Sequence, residues 1–378
     1  MTIRIGFVGL SKSGGWAALG LAPPLFSEPL NSQYSLVALS TSSSTSASES
    51  AKHFSELAST TVRAYHGPTD AIAANDELDL VAVSVNPPSH RTAVLPLLEK
   101  GRNVYVEWPV GNTINETKEF VAKAQEKGVR TIVGLQGWQT PVVRRIREII
   151  AEGKIGTVFN VTWIASKLSF PPYWTPFVMS SAEYLTDPDQ GATLTNIWLG
   201  HNLSMITRAL GPLASLSAVS TIGIPVIKVG ESPMDPKAKS VQAKVPDQYA
   251  VSGTFESGAL FSGSWRTIPI DTKNTTPTLV WLIEGSKGQL RVETSADTPV
   301  GGFPHFVPPV ALFFNGEKIA LEEENAQFGG ATGRAWVEYA RGDEGEYPTF
   351  EDALLLRKHV EAVKRSMVEG IRVPVNDV

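Results

Sequence analysis

The sequence predicts an α/β chain of two domains: an N-terminal doubly wound parallel sheet, then an α+β domain on a large open, mostly antiparallel sheet. Three observations predict it. Strand-like and helical patterns alternate through residues 1–135. A glycine-bearing turn, Gly9-Leu10-Ser11-Lys12-Ser13-Gly14, follows the first strand. Across residues 136–378 the apolar runs become longer and are broken by glycine turns, as in sheet hairpins.

The elements follow in order. Ile3–Leu10, Ser35–Ser40, Leu78–Val85, Asn103–Glu107 and Arg130–Leu135 read as strands. Leu80-Val81-Ala82-Val83 is apolar at every position, which suits a strand covered on both faces by helices. Helical patterns occupy Ala93–Lys100 and Ile114–Lys127, the second opened by a capping box in which Thr113 accepts from the backbone and Glu116 reaches back to it. A helix rich in Arg and Ile, Thr140–Gly153, leads into strand-like runs at Thr157–Lys167, Gln248–Trp265 and Val280–Thr294. Glu256-Ser257-Gly258 splits the middle run into a hairpin. Val229–Pro246 and Glu322–Gly333 have no periodicity and read as exposed loops. Thr349-Phe350-Glu351-Asp352 carries a cap signal for a helix over Ala353–Glu369, expected to pack back near the first domain, before the extended Arg372-Val373-Pro374.

Composition narrows the function. With 33 Lys+Arg against 38 Asp+Glu and a net charge of -5, nucleic acid is not an expected partner and a small molecule is. The chain has no cysteine, which removes thiolate nucleophiles, Cys-ligated zinc and iron–sulfur clusters, and no metal site is expected. No apolar run reaches membrane-spanning length and no signal segment precedes Ile3, so the expectation is a cytoplasmic protein.

Gly9, Ser11 and Gly14 stand at positions one, three and six of the dinucleotide-binding fingerprint, with Lys12 in the same turn. The first glycine allows the tight turn, a small middle residue lets backbone approach pyrophosphate, and the last permits close helix packing. The bland alternative is an ordinary strand-to-helix turn. The second strand ends Ser40-Thr41-Ser42-Ser43 with no carboxylate to repel a 2′-phosphate, so NADP is favoured over NAD, with Lys52 or Arg63 as the basic group. Asn86, Pro87 and His90 follow one strand, and Glu107 and Trp108 follow the next, at the carboxyl edge where such folds bind ligands.

These segments, with Gly134-Leu135-Gln136-Gly137 and Ile283-Glu284-Gly285-Ser286-Lys287-Gly288, resemble the Gfo/Idh/MocA oxidoreductase family over most of the chain. Val106-Glu107-Trp108 and Gly200-His201 look most like its fungal Gal80-like branch, which includes a galactose-responsive transcriptional regulator. The resemblance implies a Rossmann domain and a substrate domain. It also implies that Trp108 replaces the lysine of a Glu-Lys-Pro motif and cannot exchange a proton there. The segment Gly191–His201 is similar to a helix where the family places an Asp and, four residues on, a His; Ile197 departs from that pattern and His201 keeps it. His201 and Glu107 are the expected catalytic groups, with Lys167 a substitute at a strand end; Trp108, Gln136, Tyr173 and His201 line the expected substrate pocket. Trp16, Trp138, Trp163 and Trp174 would add aromatic walls. Each has a plainer reading, since a helical histidine is often structural, a strand-end lysine often meets solvent and a tyrosine beside prolines often packs. Two functions stay open: an NAD(P)-dependent oxidoreductase on a small carbonyl or alcohol, or a catalytically inactive regulator acting through a protein partner. The open sheet calls for a homodimer or homotetramer packed sheet to sheet.

Overall fold

The computed structural model describes residues 2–270, 272–306, 308–321 and 330–378. Its contacts divide the chain into two compact units, Met1–Gln139 with Asn325–Leu355 and Thr140–Glu324 with Leu356–Val378.

The first unit is a six-stranded sheet of β1 (Ile3–Val8), β2 (Tyr34–Thr41), β3 (Arg63–His66), β4 (Leu80–Val83), β5 (Asn103–Val106) and β6 (Thr131–Val133), in the order β3-β2-β1-β4-β5-β6. Every pairing is parallel. All four β4 residues are buried, as the apolar run requires. The strand order reverses at β1, and ligands of such sheets bind outside the carboxyl ends at that switch. The sequence reading passed over β3, because an edge strand reading Arg-Ala-Tyr-His buries no apolar face. The helix Ile114–Lys127 starts at Thr113, whose Oγ1 accepts from Glu116 N at 3.2 Å. The Glu116 carboxylate accepts from Asn112 N at 2.8 Å, one residue earlier than the simple box.

The helix Gly330–Ala340 belongs to this unit although it lies far beyond residue 135. Trp336 anchors it: its Nε1 donates to Leu21 O at 2.9 Å, its carbonyl accepts from Tyr34 Oη at 2.7 Å, and its ring lies 4.9 Å from that of Tyr105. Part of the expected loop Glu322–Gly333 is therefore helical from Gly330; its residues 322–329 lie outside the described residues. Two glycines weaken the local helix signal, and packing of Ala335, Trp336 and Tyr339 overrides it.

The second unit carries β7 (Val158–Lys167), β8 (Phe177–Met179), β9 (Leu213–Thr221), β10 (Val226–Gly230), β11 (Lys239–Gln242), β12 (Gln248–Phe255), β13 (Leu260–Thr267), β14 (Leu279–Gly285), β15 (Gly288–Glu293), β16 (Ala311–Phe314), β17 (Glu317–Ile319) and β18 (Val373–Pro374). Nine form one sheet in the order β17-β16-β15-β14-β7-β13-β12-β9-β18, antiparallel except for the β7–β13 pair. The β12–β13 hairpin turns through Gly258 at φ 88°, where only glycine is comfortable. Trp163, Trp265 and Trp281 are buried on the core face, with Trp163 edge-on to Trp281 at 5.2 Å. From Leu356 the helix Phe350–Glu369 belongs to this unit, where His359 Nε2 accepts from Leu213 N and Ser366 Oγ accepts from Ala218 N.

The expected loop Val229–Pro246 is corrected: β11 lies inside it and joins β10 and β8 in a small separate sheet. Its outward side chains are polar, so no apolar alternation marked it. Among the described residues no helix is long and apolar enough to cross a membrane, and no group of three or more metal-ligating side chains converges.

Trp336→Ala removes a fully buried indole and its hydrogen bond to Leu21, so urea unfolding should show a loss of about 3–5 kcal/mol. A change below about 1 kcal/mol would mean that Gly330–Ala340 is not an integral part of the first unit.

Candidate functional site

At the end of β1 the backbone turns through Gly9 at φ 98°. A Cβ there would also run into the Ser84 carbonyl, so conformation and close approach both demand glycine. Gly14 and Gly15 take φ 108° and 93°, with nothing within 4 Å of where a Cβ would stand. Ser11 serves the turn itself, and Lys12 ties it to the helix Ser44–Ala58. Ser11 Oγ accepts from Ser13 N at 3.2 Å and its carbonyl accepts from Gly14 N at 3.2 Å. Lys12 N donates to Ser50 Oγ at 3.1 Å, and Lys12 Nζ pairs with Glu49 at 3.1 Å. A serine in place of a middle glycine brings a hydroxyl that closes on its own backbone.

Beside Gly9 a cleft of ≈ 590 Å³ opens at the carboxyl ends of β1, β2 and β3, within the size range of small-molecule sites. Ser40, Thr41 and Ser42 line it from β2, as the sequence reading expects of the first two. Gly67, Thr69 and Asp70 after β3 and Arg91 after β4 also line it; the sequence reading missed them because β3 itself carries no apolar signal. Arg91 binds Glu119 through Nε at 2.9 Å and Nη2 at 2.8 Å. Arg63, considered as a basic partner, stands at the start of β3 and pairs with Glu77 at 3.4 Å. Asn86 and Pro87 lie between the lining residues Val85 and Ser89 without lining the cleft themselves.

His90 does not face the cleft. It is fully buried, with Nδ1 2.9 Å from Pro109 O and 3.0 Å from Val110 O, and Nε2 2.9 Å from Val85 O. Burial lowers its pKa while those carbonyls pull upward. It ties the end of β4 to the turn after β5, because a buried imidazole must satisfy its nitrogens on nearby backbone.

That turn holds the group best placed to move a proton. Glu107 Oε1 accepts from Tyr105 Oη at 2.6 Å and from Trp16 Nε1 at 2.8 Å. Burial pushes its pKa up to about 7, against the pull of side-chain hydrogen bonds from Tyr105 and Trp16 and a backbone one from Trp108. Tyr105, buried beside it, is raised well above its ordinary value by burial and then by the carboxylate. A Cβ at Gly134 would strike the Glu107 carboxyl, so that glycine makes its room. Trp108 is 4% exposed and Gln136 is also buried.

In the second unit Lys167 ends β7 fully buried, with Nζ donating to Leu168 O at 3.0 Å, and burial lowers its pKa to about 7. His201 stands in the first turn of Gly200–Leu210, and Ile197 in the short turn Thr195–Leu199 before it. Burial lowers His201 to about 3, so its imidazole is neutral at pH 7. Its ring stacks on His305 at 4.1 Å and 13°. His305 was missed by the sequence reading; its only signal is a histidine in the compact Gly301-Gly302-Phe303-Pro304 run, whose Gly302 presses on the Ser166 backbone. Tyr173 is partly exposed and lies 5.9 Å from Trp174. Trp174 stacks on Phe303 at 6.3 Å, Trp163 lies in the sheet core and Trp16 Nε1 donates to Glu107.

Residues 3–135 match the model of the oxidoreductase family with an NAD-binding Rossmann fold, Gfo/Idh/MocA, and residues 141–294 match that of the Gal80p C-terminal domain. The chain is 27% identical over 384 residues to Dehydrogenase aclE of Aspergillus oryzae, covering 97% of each. It is also 27% identical to the galactose/lactose metabolism regulatory protein GAL80 of Saccharomyces cerevisiae, over 84% of this chain and 71% of that protein. A super-repressor mutant of Gal80p from Saccharomyces cerevisiae shares the fold with a TM-score of 0.87 at 23% identity, covering 100% of this chain and 99% of its own.

The raised Glu107 carboxyl has a stability consequence. Between its ordinary pKa of 4.5 and about 7 the folded chain holds a proton that the unfolded chain releases, so its contribution is full below that window and lost as pH rises through it. Glu107→Gln keeps the Oε1 acceptor and removes the titration. Its urea stability relative to the parent should improve by on the order of 2 kcal/mol between pH 4.5 and pH 8. Parallel pH profiles for the two proteins would sink this assignment.

Proposed function

We propose that this chain, whose residues 3–135 match the Gfo/Idh/MocA oxidoreductase model and whose residues 141–294 match the Gal80p C-terminal domain, is a cytoplasmic NAD(P)-dependent oxidoreductase of a small carbonyl or alcohol compound. The observation that carries the reading is the cleft beside Gly9, where a side chain is excluded and backbone is left bare at the switch of a parallel sheet. That cradle fits a dinucleotide. Gly9 would admit the pyrophosphate, and the hydroxyls of Ser40, Thr41 and Ser42 would meet the ribose end. With no carboxylate ending β2, NADP is preferred over NAD. When bound, the nicotinamide supplies hydride transfer.

The proton is handled by this chain's own groups. Glu107, with a pKa of about 7, can give or take a proton at its carboxyl oxygen without a lysine beside it. Tyr105 and Trp16 orient that carboxyl. Lys167 is the base available in the second unit, and His201, neutral at pH 7, can donate or accept a hydrogen bond to substrate. Tryptophan at 108 contributes no proton, only apolar surface.

A second reading is favoured by that same residue. Trp108 is nearly buried and the lysine expected beside Glu107 is absent, which suits a catalytically inactive regulator that binds a dinucleotide and acts through a protein partner. The outward face of the large sheet, with Ala250, Ser252 and Ser262 exposed and uncharged on β12 and β13, supports a homodimer packed sheet to sheet.

The deciding experiment titrates the protein with NADPH and NADH, following energy transfer from tryptophan to nicotinamide, and then screens carbonyls and alcohols for turnover. Saturable binding, tighter for NADPH, with turnover is the expected result. Binding without turnover supports the regulator, and no binding removes both. Trp108→Lys is expected to lower turnover at least about tenfold if the site is built around the indole; a gain would identify a decayed enzyme. Light scattering should return twice the chain mass, and a monomer would refute the sheet-to-sheet dimer.

A further inference from the structure

Among the described residues that line the cleft beside Gly9, three are charged: Asp70, Arg91 and Glu99. Arg91 is the one cation. It stands in the first turn of the helix His90–Glu99, and Glu99 closes the same helix eight positions on, about 12 Å along its axis. The two ends of that wall therefore carry opposite charge. Without Arg91 the charged lining would be two carboxylates, which repel an anion.

The Arg91 guanidinium is held in place and only half used. Glu119 accepts from its Nε at 2.9 Å and its Nη2 at 2.8 Å, a two-point clamp that fixes the plane of the fork. Nη1 and the second N–H of Nη2 have no partner among the described residues, and the side chain is 50% exposed. That open edge presents paired donors of the kind that grip a phosphate.

Ser42 follows β2 and Arg91 follows β4, on either side of β1. Ser40 is 2% exposed and Thr41 Oγ1 donates to Ser43 O at 3.2 Å, so Ser42 offers the exposed hydroxyl of this strand end. It leads into the helix Ser44–Ala58, whose N-terminus favours an anion nearby. Neither Lys52 nor Arg63, the basic groups considered from the sequence, lines the cleft.

We propose that Arg91 selects the cofactor, binding the 2′-phosphate of NADP through its open Nη1–Nη2 edge together with the Ser42 hydroxyl, while Glu119 holds the guanidinium in place. The inference rests on the dinucleotide reading of the cleft and names the residue that decides between NADP and NAD.

The test titrates the full chain with NADPH and with NADH at several salt concentrations, following energy transfer from tryptophan to nicotinamide. In the parent NADPH should bind about tenfold more tightly, and its affinity should fall more steeply with salt because one more charge contact is screened. Arg91→Gln should weaken NADPH about tenfold, leave the NADH Kd within about twofold and bring the two salt dependences together. The unchanged NADH Kd doubles as the check that the variant folds. Arg91→Lys keeps the charge without the fork and should fall between the two. Glu119→Gln breaks the same ion pair but keeps the guanidinium and an acceptor for it, and should bind NADPH within about threefold of the parent. Lys52→Ala and Arg63→Ala should shift neither Kd by more than about twofold. If Arg91→Gln fails to fold, the lysine variant and the parent salt dependence decide. An Arg91→Gln protein that binds NADPH as the parent does, or that loses NADH to the same extent, overturns the proposal, as does a parent that binds NADH as tightly as NADPH. Those results leave the dinucleotide reading standing, whereas a parent that binds neither cofactor sinks that reading and this inference with it.

Discussion

The first unit depends on the close approach of Gly9 to the Ser84 carbonyl. With no side chain between them, the end of β1 lies hard against the residue that follows β4, at the place where the strand order reverses. Everything proposed for the cleft follows from that contact. A Cβ would meet the Ser84 carbonyl and push the β1 turn, which lines the cleft, away from the residue after β4. The three positive-φ glycines keep the turn compact, Ser11 closes it on Ser13, and Lys12 ties it to Ser50 and Glu49 on the helix Ser44–Ala58.

One physical cause runs through the titratable groups at both candidate sites. Desolvation disfavours charge, so it raises the acid and lowers the bases. Glu107 rises to about 7, Lys167 falls to about 7 and His201 falls to about 3. Near neutral pH burial alone leaves these groups poised or uncharged. Proton exchange is thereby available at Glu107 although the neighbouring position is an indole, and hydrogen bonding rather than ion pairing is available at His201 and His305. Hydrogen bonds to Glu107 from Tyr105 and Trp16 oppose the shift but do not cancel it.

Much of the fold was legible because it rests on periodicity. The all-apolar β4 run, the alternating elements ahead of it and the glycine turn at Gly258 are local signals with direct structural causes. The parts that escaped lack such signals. β3 and β11 are short, polar edge strands, and a strand that buries no apolar face leaves no alternation. The helix Gly330–Ala340 begins at a glycine and is held by Trp336 reaching Leu21 and Tyr34, contacts made across some 300 positions of chain. In the candidate site, Gly9, Ser40 and Thr41 were found by motif position, whereas Asp70, Arg91 and His305 became visible only when distant segments were brought together.

The sequence by itself determined the class of the two domains, the glycine turn, the hydroxyl-rich end of β2 and an indole directly after Glu107, because each is a matter of residue type at a local position. Tertiary structure alone decided what the polar residues are for. His90 reads as a ligand contact in sequence and becomes a backbone tie, since its nitrogens meet the carbonyls of Val85, Pro109 and Val110. Glu107 and His201 read alike in sequence as catalytic candidates, and burial parts them, raising the carboxyl to about 7 and lowering the imidazole to about 3. Protonation and hydrogen-bond satisfaction depend on how much water and which neighbours surround a group, and those are set by segments that meet only in the folded chain.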